Sequence, residues 1–109
     1  MKLSLQQSDH FFIDLTRGVD WYRDHAGSEI AGRFVDAVEA TLAGLVRTPA
    51  QGRLRFKDWP ELAGIRSFRV QRPYGRWLIF YRFANSSIYA ERLIHGTRDL
   101  PRRLRQSPQ

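Results

Sequence analysis

The residues able to do chemistry are unevenly distributed along this chain. Residues 50–109 carry 13 Lys or Arg against 4 Asp or Glu, a net of +9, whereas residues 1–49 carry 5 against 7, a net of −2. Of the 18 basic residues, 16 are Arg. A guanidinium forks onto phosphate and carboxylate oxygens and stacks on planar groups, which an ammonium does poorly. The basic half therefore points to a phosphate-bearing or acidic partner. Other chemistries have less behind them. With no cysteine there is no thiol nucleophile, disulfide framework or cysteine zinc site. His10 and Asp14 stand four apart on one helix face, but two ligands do not make a metal site, and His25 lies well along the chain. Ser8 and Ser67 have no His and Asp grouped around them, and the glycines fit neither a P-loop nor a dinucleotide fingerprint. The expectation is no metal and no cofactor.

The elements that must position these residues follow from periodicity. Lys2 to Gln7 alternates, Leu3 and Leu5 against Ser4 and Gln6, as in a short half-buried strand. Ser8 or Asp9 then caps a helix in which Phe12, Leu15, Val19 and Tyr22 form the apolar stripe and Asp14, Arg17, Asp20, Arg23 and Asp24 face outward. Gly27 breaks this helix and Ser28 caps a second, with Phe34, Val38, Thr41, Leu42 and Leu45 inward. Thr48-Pro49 ends it, because a residue before proline is pushed out of the α region. The spacing predicts an antiparallel helical hairpin.

From Pro49 to Ala63 the pattern dissolves into a loop holding Arg53, Arg55, Lys57 and Trp59, the last expected to be exposed. Three strands follow: Ile65 to Arg72, Arg76 to Phe83 and Ile88 to His95, with turns at Pro73-Tyr74-Gly75 and Asn85-Ser86. The middle one is apolar on both faces, which places it centrally in a sheet. Tyr81, Trp77 and Phe83 read as core rather than as a stacking platform. Arg82 and Arg92 fall on adjacent strands and can pair with Glu91 or face solvent. Thr97 or Asp99 can cap a last helical turn through Arg105.

The order is β-α-α-β-β-β with a short C-terminal helix: an α+β fold, its helical hairpin on one face of a small, mostly antiparallel sheet. The other face is free or only partly covered, and Arg69 projects toward it if Phe68 and Val70 meet the helices. At 109 residues, 42% hydrophobic and 13% aromatic, residues 1–109 read as one globular domain with one modest core. No apolar run approaches the ~20 residues that span a bilayer. The N-terminal segment lacks an apolar signal core, so a cytoplasmic location is expected.

The element order resembles the RelE/ParE superfamily, toxins of type II toxin–antitoxin systems often labelled plasmid stabilisation proteins. So do Gly64-Ile65-Arg66-Ser67-Phe68-Arg69-Val70 and Trp77-Leu78-Ile79-Phe80-Tyr81-Arg82. The closest likeness is Arg92-Leu93-Ile94-His95-Gly96-Thr97-Arg98-Asp99-Leu100-Pro101. The resemblance covers nearly the whole chain and implies two activities of different classes. RelE-like members are metal-independent endoribonucleases that cut mRNA on the ribosome. ParE-like members are understood to poison DNA gyrase as binding proteins. Carried over by position, the nuclease candidates are Arg72, His95 and Arg98, with Lys57 and Arg55 in the basic loop. No Tyr follows Tyr89, where RelE-like enzymes commonly place a catalytic one. The His95-x-x-Arg98 ending followed by proline looks like the ParE branch.

The resemblance therefore implies a gyrase-poisoning toxin with target-binding residues Arg69, Arg72, Arg92, His95, Arg98 and Arg102, and a ribosome-dependent mRNA endoribonuclease as the alternative. Both activities imply a cognate antitoxin in a hetero-oligomer, and no membrane. For His95 the plain structural reading is a strand-end histidine bonded to a loop carbonyl, and for Arg98 a local pair with Asp99 near a helix start.

Overall fold

A computed structural model describes residues 3–96 and 104–105. Strand β1 (Ser4–Gln7) leads into α1 (Asp9–Ala26) and α2 (Ser28–Arg47). After them come β2 (Arg53–Leu54), β3 (Arg66–Arg69), β4 (Trp77–Ala84) and β5 (Ser87–His95). One sheet holds all five strands in the order β1-β5-β4-β3-β2. β1 runs parallel to β5 and the remaining pairs are antiparallel. The α+β arrangement expected from the sequence is the one observed.

Local chemistry sets the helix ends. The Ser8 hydroxyl oxygen accepts from the Phe11 amide at 3.0 Å, the arrangement of an N-cap, and the same hydroxyl donates to the Glu91 carbonyl at 2.8 Å. The start of α1 is thereby fastened to β5. Gly27 alone joins the helices at φ +95°, a backbone region that side chains with a Cβ rarely adopt. Gly27 is also the residue preceding α2, so Ser28 is its first helical residue rather than its cap, and no side chain caps that end.

The helices cover one sheet face. Phe11, Phe34, Val38, Leu42 and Leu45 pack on Val70, Ile79, Tyr81, Ile88 and Leu93. Each such side chain contributes about 1.5–3 kcal/mol by leaving water. The inward stripe of α1 starts at Phe11, whereas Phe12, expected inside, is 63% exposed. Thr41 ties α2 to the end of β3: its hydroxyl donates to the Ala37 carbonyl at 2.7 Å and accepts from the Gln71 amide at 3.1 Å.

The second face is partly covered. Leu78 and Phe80 of β4 and Ile94 of β5 lie beneath Leu62 and Ile65, with Phe56, Trp59 and Leu104 packed around them. The segment expected to be a plain loop thus contains the two-residue strand β2 and short 3-10 turns at Pro49–Gln51 and Pro60–Leu62. Trp59 is half-buried rather than exposed, with the Arg105 guanidinium 4.4 Å over its ring. Tyr81 is wholly buried and Trp77 and Phe83 pack against the same core, as expected. The expected helix from Thr97 or Asp99 lies largely outside the described residues.

β5 carries a bulge. Phe80 faces Arg92 while Tyr81 faces Ala90, so Glu91 is an extra residue. A bulge shifts the alternation of side chains by one. Ile88 and Ala90 point to the helices before it, and Leu93 does so after it.

Candidate target-binding surface

Arg69 and Arg72 are positioned by β3 and the turn that follows. Phe68 and Val70 point into the helix-side core, so Arg69 sits opposite Leu78 on the other side, as the alternation requires. Its guanidinium donates to the Gly75 carbonyl at 2.9 Å. Arg72 opens the Pro73-Tyr74-Gly75 turn, which Tyr74 anchors: its hydroxyl donates to the Ile30 carbonyl at 3.2 Å and its ring meets Phe34 edge-on. Both arginines border an open groove of about 670 Å³ between α2 and β3. Arg47 adds a third guanidinium, Phe68 and Val70 supply apolar surface, and Ala40 and Gly44 keep the α2 side low.

Among the described residues lining that groove there is neither a carboxylate nor a histidine. Its chemistry is anion recognition, with no group there suited to proton transfer at ordinary pH. Arg47 was not marked out by the sequence because a basic residue in the last turn of a helix already complements the helix dipole.

His95 lies at the same end of the sheet, opposite Trp77, but in a separate cleft. Its ring meets Trp77 edge-on with centroids 5.1 Å apart, and the cleft is completed by Arg17, Gly18, Trp21 and Tyr22. Among the described residues, none lines both hollows. The aromatic group Tyr22, Phe34, Tyr74 and Trp77 links them, with the Trp77 indole N–H donating to the Tyr22 hydroxyl at 3.1 Å. Arg72 and His95 thus share a sheet end without sharing a pocket.

Arg92 is corrected by the structure. Expected to meet a target, or to pair with Glu91 or solvent, it is instead 7% exposed and held by Asp14. Nε donates to Asp14 Oδ2 at 2.7 Å and Nη2 to Oδ1 at 3.1 Å, a two-pronged contact. Asp14 Oδ2 also accepts the Leu93 amide at 2.9 Å, satisfying the edge of β5 beyond the reach of β1. Asp14, expected on the outer face of α1, is therefore a buried anchor, and Arg92 is its counterion rather than a contact residue. Glu91 pairs with Arg82 at 3.2 Å. Burial raises the Glu91 carboxyl above its ordinary pKa, and the Arg82 charge opposes that rise.

The basic loop divides between support and exposure. Lys57 is exposed, whereas Arg55 is half-buried and donates to the Ser67 hydroxyl at 3.0 Å. Burial, and then the charge of Arg53, pull the Arg55 guanidinium below its ordinary pKa. Arg98 and Arg102 lie outside the described residues. No group of three or more His, Cys, Asp or Glu able to hold a metal occurs among the described residues.

The model of the ParE toxin of type II toxin–antitoxin systems matches residues 5–100. The chain belongs to the ParE toxin family. It is thus a ParE-family toxin of a type II toxin–antitoxin system, within the RelE/ParE superfamily. No curated protein matches it in sequence. Among solved structures, a chain of the chromosomal ParDE system from P. aeruginosa superimposes with a TM-score of 0.71 at 22% identity, over 88% of this chain and 98% of that one. A chain of the E. coli DinJ–YafQ toxin–antitoxin complex gives 0.60 at 12% identity, over 87% and 93%. YafQ from E. coli strain BL21(DE3) gives 0.60 at 14%, over 92% and 98%. At these identities the likeness is one of fold. Among the described residues of this ParE-family chain, no helix is long and apolar enough to cross a membrane.

Proposed function

We propose that this ParE-family toxin arrests growth in the cytoplasm as a binding protein that poisons DNA gyrase, and that a cognate antitoxin neutralises it. The observation carrying this reading is the family match over residues 5–100. It is supported by a groove whose described lining offers Arg47, Arg69 and Arg72 and no proton-transfer group. The antitoxin supplies an acidic segment that lies as a helix or strand over apolar surface and pairs with the Arg-rich half. The target surface comprises Arg69, Arg72, His95, Arg98 and Arg102, with Arg92 withdrawn to a supporting role.

Ribosome-dependent mRNA cleavage is the second reading. What favours it is the exposed His95 at the sheet end that also carries Arg72, in a fold shared with YafQ. One experiment separates the two. The purified chain is added to a gyrase supercoiling assay and to a translation reaction whose mRNA ends are mapped. Loss of supercoiling with intact mRNA is expected, with the effect weakened by Arg72→Ala and by Arg98→Ala in variants that keep the wild-type melting temperature. Codon-linked cuts without gyrase inhibition overturn the proposal.

A further inference from the structure

The cleft beside His95 is built for a ligand unlike those the arginine groove would take. We infer that it binds a small planar aromatic acid, an aromatic ring bearing a carboxylate. This inference does not rest on the gyrase reading. The cleft encloses about 370 Å³, within the ~300–1,000 Å³ range of small-molecule sites. Its walls are the rings of Trp21, Tyr22, Trp77 and His95, and among the described residues lining it Arg17 is the one Lys or Arg. Among the described residues lining it there is no carboxylate.

Several observations show a preformed cleft. Gly18 lets the rings of Phe34 and Trp77 pack directly against α1 and so sets the floor of the cleft, because a Cβ there would come within 2.9 Å of Phe34 and 3.1 Å of Trp77. Trp77 is fixed in orientation by its indole hydrogen bond to Tyr22. Trp21 is 54% exposed yet held in place, stacked on His25 with centroids 4.4 Å apart at 13°, while His25 Nδ1 lies 2.8 Å from the Trp21 carbonyl oxygen. One indole is thus held by a hydrogen bond and the other by a ring stack, which lowers the ordering cost of receiving a flat ring.

Arg17 selects the sign of the ligand. It stands one helical turn before Trp21 and makes no ion pair among the described residues. Indole faces also attract cations, but a cation here would meet the Arg17 charge, whereas a carboxylate meets a two-pronged donor. An aliphatic acid would leave the aromatic walls unused. A neutral aromatic would leave the guanidinium unanswered.

The three tryptophans provide the test, since Trp59 lies in the cluster on the opposite sheet face and serves as an internal control. Indole N–H signals of the full chain, assigned with single Trp→Phe variants, are followed by NMR during titration with indole-3-acetate, indole-3-acetamide and acetate. Saturable shifts of Trp21 and Trp77 with a still Trp59 are expected for indole-3-acetate. The amide should bind about tenfold more weakly, as should the acid to Arg17→Gln, the difference expected for one charge-assisted contact. Trp21→Ala, at an exposed position, should abolish saturation without lowering the melting temperature. The inference is overturned by any of three results: no saturable shift at millimolar acid, an equal response at Trp59, or equal affinities of acid and amide.

Discussion

Removing the Asp14 carboxylate should be among the most damaging single changes available in this toxin. In Asp14→Ala the Arg92 guanidinium loses its two-pronged contact with a carboxylate, and the Leu93 amide loses its acceptor. Both side chains are below 10% exposed, at 9% and 8%, so water replaces the lost contacts poorly. Breaking a buried ion pair from one side costs about 3–5 kcal/mol. A chain of this length has a total stability of roughly 5–15 kcal/mol, so the loss is a large share of the whole. At about 4–8 °C per kcal/mol for a domain near this size, the melting temperature should fall by at least ~12 °C. Urea denaturation reads the free energy directly, with an unchanged denaturant slope expected if only the native state is affected. The double variant Asp14→Leu with Arg92→Met removes both charges, and should recover at least ~2 kcal/mol relative to the sum of the two single losses. A loss under ~1 kcal/mol for Asp14→Ala, or additive losses in the double variant, would refute the claim that this pair anchors α1 to β5.

Two further outcomes are expected. Tyr81→Phe should cost about 1–3 kcal/mol in the same denaturation experiment, because the hydroxyl donates to the Pro49 carbonyl at 2.6 Å and accepts from the Gly52 amide at 2.9 Å in a buried setting. A change indistinguishable from zero would show that water takes over both bonds. Glu91→Gln should raise stability slightly at neutral pH, by less than about 1 kcal/mol once solvent screening is allowed for. The sign follows from burial raising the Glu91 pKa. A carboxyl whose pKa is higher in the folded state contributes most when protonated, below its unfolded value, and loses that contribution as pH rises through the folded value. The advantage of Gln should therefore shrink on acidification below the ordinary glutamate range, which melting curves at several pH values will show.

The helices, the turns and the order of the three main strands were legible because each rests on a local signal: Ser8 before a helix, Gly27 between two, alternation from Trp77 to Phe83. Departures arose where local signals compete with distant ones. Phe11 and Phe12 are adjacent and equally apolar, and only packing against the sheet decides which is buried. Asp14 looks like a solvated helix residue until its partner, 78 positions away, is known. The extra residue at Glu91 reverses the alternation that tells inside from outside on β5, so spacing alone puts Arg92 in the wrong environment. Within the candidate surface, Arg69 and Arg72 stood out in sequence, whereas Arg47 and Arg17 did not, since each reads as an ordinary exposed helix residue. The separation of Arg72 and His95 into two hollows depends on where the rings of Tyr22, Phe34, Tyr74 and Trp77 come to rest, which no spacing rule supplies.

The last strand in sequence among the described residues is an interior one: β5 lies between β1 and β4. Until residues 87–95 emerge, the first strand has no neighbour and the carboxylate on α1 has no guanidinium to meet. Pairing of β1 with β5, far apart in sequence, makes assembly late and concerted rather than progressive. A product that stops short of β5 therefore leaves both β1 and the Asp14 carboxylate without the partners they have in the fold.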